Sequence, residues 1–79
     1  MSPKLPFIIK AEELIKLLEL KGFMKVSQKG SHVKMRSENG EIVIIPIHSG
    51  KNIKPGLLLS ILNRAGIDVS ELRKNYNKG

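Results

Sequence analysis

FMKVSQKGSHVKMRSENGEIVIIPI, residues 23–47, reads as three β-strands separated by two glycine turns. From Phe23 to Lys29 apolar and polar side chains nearly alternate, with Met24 and Val26 opposed to Lys25, Ser27 and Lys29. That period of two is the signature of a half-buried strand. Gly30 and Ser31 mark a turn. In the second strand Val33 and Met35 point one way and His32, Lys34 and Arg36 the other, because side chains two apart share a face. Glu38-Asn39-Gly40 then contains Asn-Gly, a strong short-range hairpin signal. The third strand, EIVIIPI, ends near Pro46, which has no N–H to give to a ladder. Its Ile42 and Ile44 share one face while Val43, Ile45 and Ile47 share the other, so both faces are apolar. In a meander covered on one side, some of that surface stays exposed and can mark a partner interface, unless the carboxy-terminal segment folds back over it.

A helix is expected on each side of this meander. AEELIKLLELK, residues 11–21, places Leu14, Ile15, Leu17 and Leu18 on one stripe, with Glu12 and Glu13 where the helix dipole favours acids. Gly22 supplies its stop. Downstream, Pro55 suits the first position of a second helix running through GLLLSILNRA, with Leu58, Leu59, Ile61 and Leu62 among its apolar residues, and Gly66 ends it. Asp68 or Ser70 could cap a short third helix with a frayed, lysine-rich end. The order α-β-β-β-α predicts an α+β fold, a three-stranded antiparallel sheet with helices on one face. Double-stranded-RNA-binding domains share that arrangement, although fold analogy alone does not fix a function. Residues 1–79 read as a single domain, its core at about 8–67 and the short helix and tail at 68–79, with no repeat or linker.

A chain of 79 residues buries only roughly 60% of its unfolded surface, so a shallow surface site is the natural design. It contains no cysteine, which excludes disulfides and thiolate metal sites. Two histidines are too few for a zinc site without carboxylates at ligand spacing. Neither a metal nor a cofactor is expected. Met1 to Ile9 has two prolines and no long apolar run, so it reads as neither signal peptide nor membrane span, and the cytoplasm is the default location.

The formal charge is +7. Residues 23–36 carry Lys25, Lys29, Lys34 and Arg36 with no acid, residues 48–64 carry Lys51, Lys54 and Arg64 with no acid, and the remaining charges cancel. Such clustering fits a footprint for a polyanion. The alternative is charge that only confers solubility.

His32 is the best candidate for chemistry. It shares parity with Lys34 and Arg36, whereas a structural core histidine would share parity with Val33 and Met35. Imidazole can accept a proton near neutral pH, and the cations beside it can hold a phosphate. RNA cleavage can begin by removing the ribose 2′-hydroxyl proton, a group DNA lacks, so a histidine-centred basic site favours RNA. A passive surface histidine remains the alternative. His48-Ser49-Gly50-Lys51 is too short for a Walker loop. Its value is positional, because Lys51 and Lys54 precede a helix N-terminus able to receive phosphate. An ordinary loop closing onto Pro55 would look the same, and nothing in the sequence places His48 beside His32.

Gly22-Phe23, Lys29-Gly30-Ser31-His32, Pro46-Ile47-His48-Ser49-Gly50-Lys51, Ile53-Lys54-Pro55-Gly56 and Ser60-Ile61-Leu62-Asn63-Arg64-Ala65-Gly66-Ile67 occur in this order. Together they resemble the HicA, or YcfA-like, family of bacterial and archaeal toxins over about residues 11–67. The resemblance implies a double-stranded-RNA-binding-like fold, an mRNA interferase activity and neutralisation by a HicB-type antitoxin. It also implies that the histidine of Gly-Ser-His, here His32, is catalytic. Many members follow that histidine with a second histidine or an arginine, whereas this chain has Val33, so Lys34 or Arg36 would have to serve instead.

The expected function is therefore a metal-independent endoribonuclease toxin, with His32 as the catalytic residue and no cofactor. Lys25, Lys29, Ser31, Lys34, Arg36, His48, Lys51 and Lys54 are expected to hold RNA. A non-catalytic RNA-binding module and a protein-interaction domain are the competing readings.

Overall fold

Among the described residues, four positive-φ glycines fall where the sequence places its turns. The computed structural model describes residues 9–48 and 51–71. Helix α1 spans Ala11–Leu20, and Gly22, with φ of 96°, turns the chain into the sheet. Strands β1 (Phe23–Lys29), β2 (His32–Ser37) and β3 (Ile42–Pro46) follow, then helix α2 (Pro55–Ala65). The sheet is antiparallel in the order β1-β2-β3. The fold is α+β, as the pattern of the sequence predicts. Residues 69–71 begin a further helical turn, with the Asp68 carbonyl accepting from the Glu71 N–H at 2.9 Å and the Glu71 carboxylate accepting from the Asp68 N–H at 3.3 Å. The rest of the expected third helix and the tail lie outside the described residues.

Both helices bury one stripe against the same side of the sheet. Ala11, Leu14, Leu17 and Leu18 of α1 and Leu58, Ile61 and Leu62 of α2 join Val33, Met35, Val43 and Ile45 in one buried cluster. Each large apolar side chain so buried contributes about 1.5–3 kcal/mol. No polar side chain among the described residues is buried in it.

The two-faced third strand resolves by parity. Val43 and Ile45 are buried, whereas Ile44 is 50% exposed on the side the helices leave open. On β1 the expected alternation fails. The register shifts between Lys25 and Ser27, leaving Val26 as an extra residue. A bulge of one residue reverses which face the following side chains take. Met24, paired with Arg36, therefore shares the open face with Ser27 and Lys29 rather than opposing them. Met24 and Val26 are both exposed, at 69% and 50%.

Candidate nucleic-acid interface

The open face is built from three rungs. Lys29, His32 and Pro46 form the first; Ser27, Lys34 and Ile44 the second; Met24, Arg36 and Ile42 the third. Directly opposed side chains in such a ladder have Cβ atoms about 4.5–5.5 Å apart, and successive rungs on one face are about 7 Å apart. His32, Lys34 and Arg36 are exposed while the alternating Val33 and Met35 are fully buried. The parity that singled out His32 is thus the parity of the fold.

His32 owes its place to the turn before it. Gly30, with φ of 57°, occupies the first central position of a two-residue loop, which a type II′ hairpin turn reserves for glycine. The Gln28 side-chain amide donates to the Gly30 carbonyl at 3.2 Å. The Ile47 N–H donates to the Ser31 carbonyl at 2.6 Å, carrying the third strand's hydrogen bonding past the turn. Ser31 is half-buried at this corner. Lys29 and Pro46 then flank His32 on either side.

Pro46 also opens a second feature. It lines a groove of about 300 Å³ together with His48, Lys51, Asn52, Lys54 and Leu57, floored by the buried Ile53. The far wall is fixed by backbone: the Lys51 N–H donates to the His48 carbonyl at 2.9 Å, the Ile53 N–H to the Ile9 carbonyl at 2.9 Å, and Lys10 and Asn52 form an antiparallel bridge. Lys54 is the N-cap of α2, Pro55 follows inside the first turn, and that turn contains no acid. The two acid-free stretches of the sequence therefore meet at Pro46, one on each side.

The expected site residues divide accordingly. Lys29, Ser31, Lys34 and Arg36 gather around His32, and His48, Lys51 and Lys54 gather in the groove. Lys25 does not join them, because its partner is Met35 and its parity is that of the helix-covered face. Arg64 sits in the last turn of α2, about 15 Å along the helix from Lys54. Pro46, Asn52 and Leu57 were not foreseen as part of the site. Counting registers outward from the Glu38-Asn39-Gly40 turn would have reached Pro46, but no local pattern marks Asn52 or Leu57.

Among the described residues no group of three histidine, cysteine or acidic side chains is placed to hold a metal ion. No helix among them is long and apolar enough to cross a membrane. No curated protein matches the chain. A family model described as the HicA toxin of bacterial toxin–antitoxin systems matches residues 11–67, the stretch that runs from the first residue of α1 to the residue after the Gly66 stop. The chain belongs to the HicA family of toxins, which act within toxin–antitoxin systems.

Proposed function

We propose that this toxin is an endoribonuclease that cuts mRNA without a metal ion, with His32 as its catalytic residue. The observation that carries the reading is the rung Lys29–His32–Pro46, which sets an exposed imidazole beside a lysine and against a basic groove. His32 takes the proton from a ribose 2′-hydroxyl, and the freed oxygen attacks the adjacent phosphorus. The bond from phosphorus to the 5′-oxygen breaks, and that oxygen leaves with a proton from water. The products are a 2′,3′-cyclic phosphate and a 5′-hydroxyl end. Lys29, Lys34 and Arg36 offset the charge that builds on the phosphoryl oxygens. Ser31, His48, Lys51 and Lys54 extend the RNA track, and Lys25, on the helix-covered side, takes no part in it. No cofactor takes part.

An RNA substrate of this kind places the toxin in the cytoplasm, with a HicB-type antitoxin as its protein partner. The open face supports that partner, because Met24 and Ile44 are exposed between the cations. The decisive experiment is cleavage of a defined mRNA in excess chelator by wild type and His32→Ala. Cleavage by the wild type alone, leaving 5′-hydroxyl ends, is the expected result. Tight binding of RNA without cleavage by either protein would instead make the same face a non-catalytic RNA-binding module. That second reading is supported by His32 itself, whose imidazole makes no hydrogen bond to another described residue that would orient it.

A further inference from the structure

We propose that the groove between Pro46 and Leu57 is a nucleobase subsite, taking the unpaired base of a nucleotide next to the phosphodiester held at His32. Its position relative to the cut rests on the ribonuclease reading above; its binding of a base does not.

Location is the first argument. Pro46 is the direct partner of His32 in the β2–β3 ladder, so the groove begins one strand spacing, about 4.8 Å, from the imidazole's own strand. A chain whose phosphate sits at His32 has its neighbouring nucleotide over the groove.

Composition is the second. A volume of about 300 Å³ lies at the lower end of the range for small-ligand sites. Pro46 and Leu57 give it apolar walls, and the exposed Lys51 and Lys54 bring positive charge. A nucleotide has the matching division, a flat apolar base on an anionic backbone. A paired base is not free to enter, so the substrate is single-stranded at this nucleotide.

Asn52 is the third. Among the described residues lining the groove it is the one carboxamide, and that amide makes no hydrogen bond to another described residue. Its backbone is held by the bridge to Lys10 and by the adjacent hydrogen bond from Ile53 to Ile9. An amide both donates and accepts, so a fixed asparagine can match a donor and an acceptor on one base edge together, which a lysine, donating only, cannot.

The test uses His32→Ala protein, to keep RNA chemistry out of the binding measurement. Backbone amide shifts are followed by NMR while each nucleoside 5′-monophosphate, and separately inorganic phosphate, is added. The nucleotides should shift the amides of Asn52, Ile53 and Leu57, with affinities that differ among bases. Phosphate alone should leave Leu57 unmoved. Adding Asn52→Ala should weaken nucleotide binding about 5-fold or more, the discrimination of one good base contact, without changing phosphate binding. Identical shifts and affinities for nucleotides and phosphate would overturn the subsite. In the active protein, cuts in a random RNA pool should show a base preference at one position flanking the cut. Asn52→Ala should flatten it, and Asn52→Asp should turn it toward guanine, whose Watson–Crick edge offers two adjacent donors to a carboxylate. A preference untouched by both substitutions, in variants whose amide spectra stay dispersed, would also overturn the proposal. Base-selective nucleotide binding without any RNA cleavage would uphold the subsite and sink the ribonuclease reading instead.

Discussion

Lys29 and His32 are direct cross-strand partners, closing the two-residue turn formed by Gly30 and Ser31. In a chain with Val33 after the histidine, this pairing supplies a cation from the neighbouring strand, since Val33 is buried on the opposite face. Lys34 and Arg36 lie one and two rungs further away. His32→Ala is expected to abolish RNA cleavage and growth arrest while changing stability by less than about 0.5 kcal/mol, as for other exposed sites. Lys29→Ala is expected to lower kcat about 10-fold, less than the loss of a donor in an enclosed site, with Lys29→Arg restoring most of it. Single-turnover kinetics and thermal melts check both. Full toxicity of a folded His32→Ala protein would remove the catalytic assignment.

Lys51 and Lys54 line the groove on the other side of Pro46, where the proposed RNA track continues. Replacing both with Ala should weaken binding of all sequences alike. On single strands the slope of log affinity against log salt should flatten by about 0.7 for each lost phosphate contact. A slope unchanged by the double substitution would move the phosphate track away from the groove.

Ile44 and Ile45 are adjacent in sequence and opposite in consequence. Ile45 is fully buried and Ile44 half exposed. Ile45→Ala should cost about 2–5 kcal/mol through lost burial and the cavity left behind, which in a chain of this size could exhaust its stability. Ile44→Ala should cost under about 0.5 kcal/mol. Urea unfolding of the two variants measures the difference, and equal costs would mean that the strand register is wrong.

Much of this was legible because alternation and turn chemistry are local. Val33 and Met35 on one side, and His32, Lys34 and Arg36 on the other, follow from strand geometry alone. Gly22, Gly30 and Gly66 mark their turns because side chains disfavour the positive φ found there. The face of Met24 was not legible. The bulge at Val26 is a property of two strands in register, and the pattern of one strand cannot reveal it. Asn52 was hidden for a related reason. Its backbone partner, Lys10, lies far away in sequence and belongs to no strand.

Restraint of the toxin should occur on the open face. Lys34 and Arg36 would draw an acidic partner by electrostatic steering, and the exposed Met24 and Ile44 offer the apolar contacts that hold it. The antitoxin is therefore expected to cover His32 directly. Its affinity for the toxin should fall when a non-cleavable RNA is already bound. Undiminished affinity in the presence of saturating RNA would rule out direct occlusion.

The tie between residues 9–10 and 52–53 gives the molecule two levels of rigidity. His32 is held at the start of the middle strand, paired with Lys29 on one side and Pro46 on the other. Asn52 is held by an isolated bridge and one neighbouring hydrogen bond, a unit small enough to open while the sheet stays folded. The groove wall proposed to read a base can thus open to release it and close again in the same geometry, without disturbing His32 in the sheet.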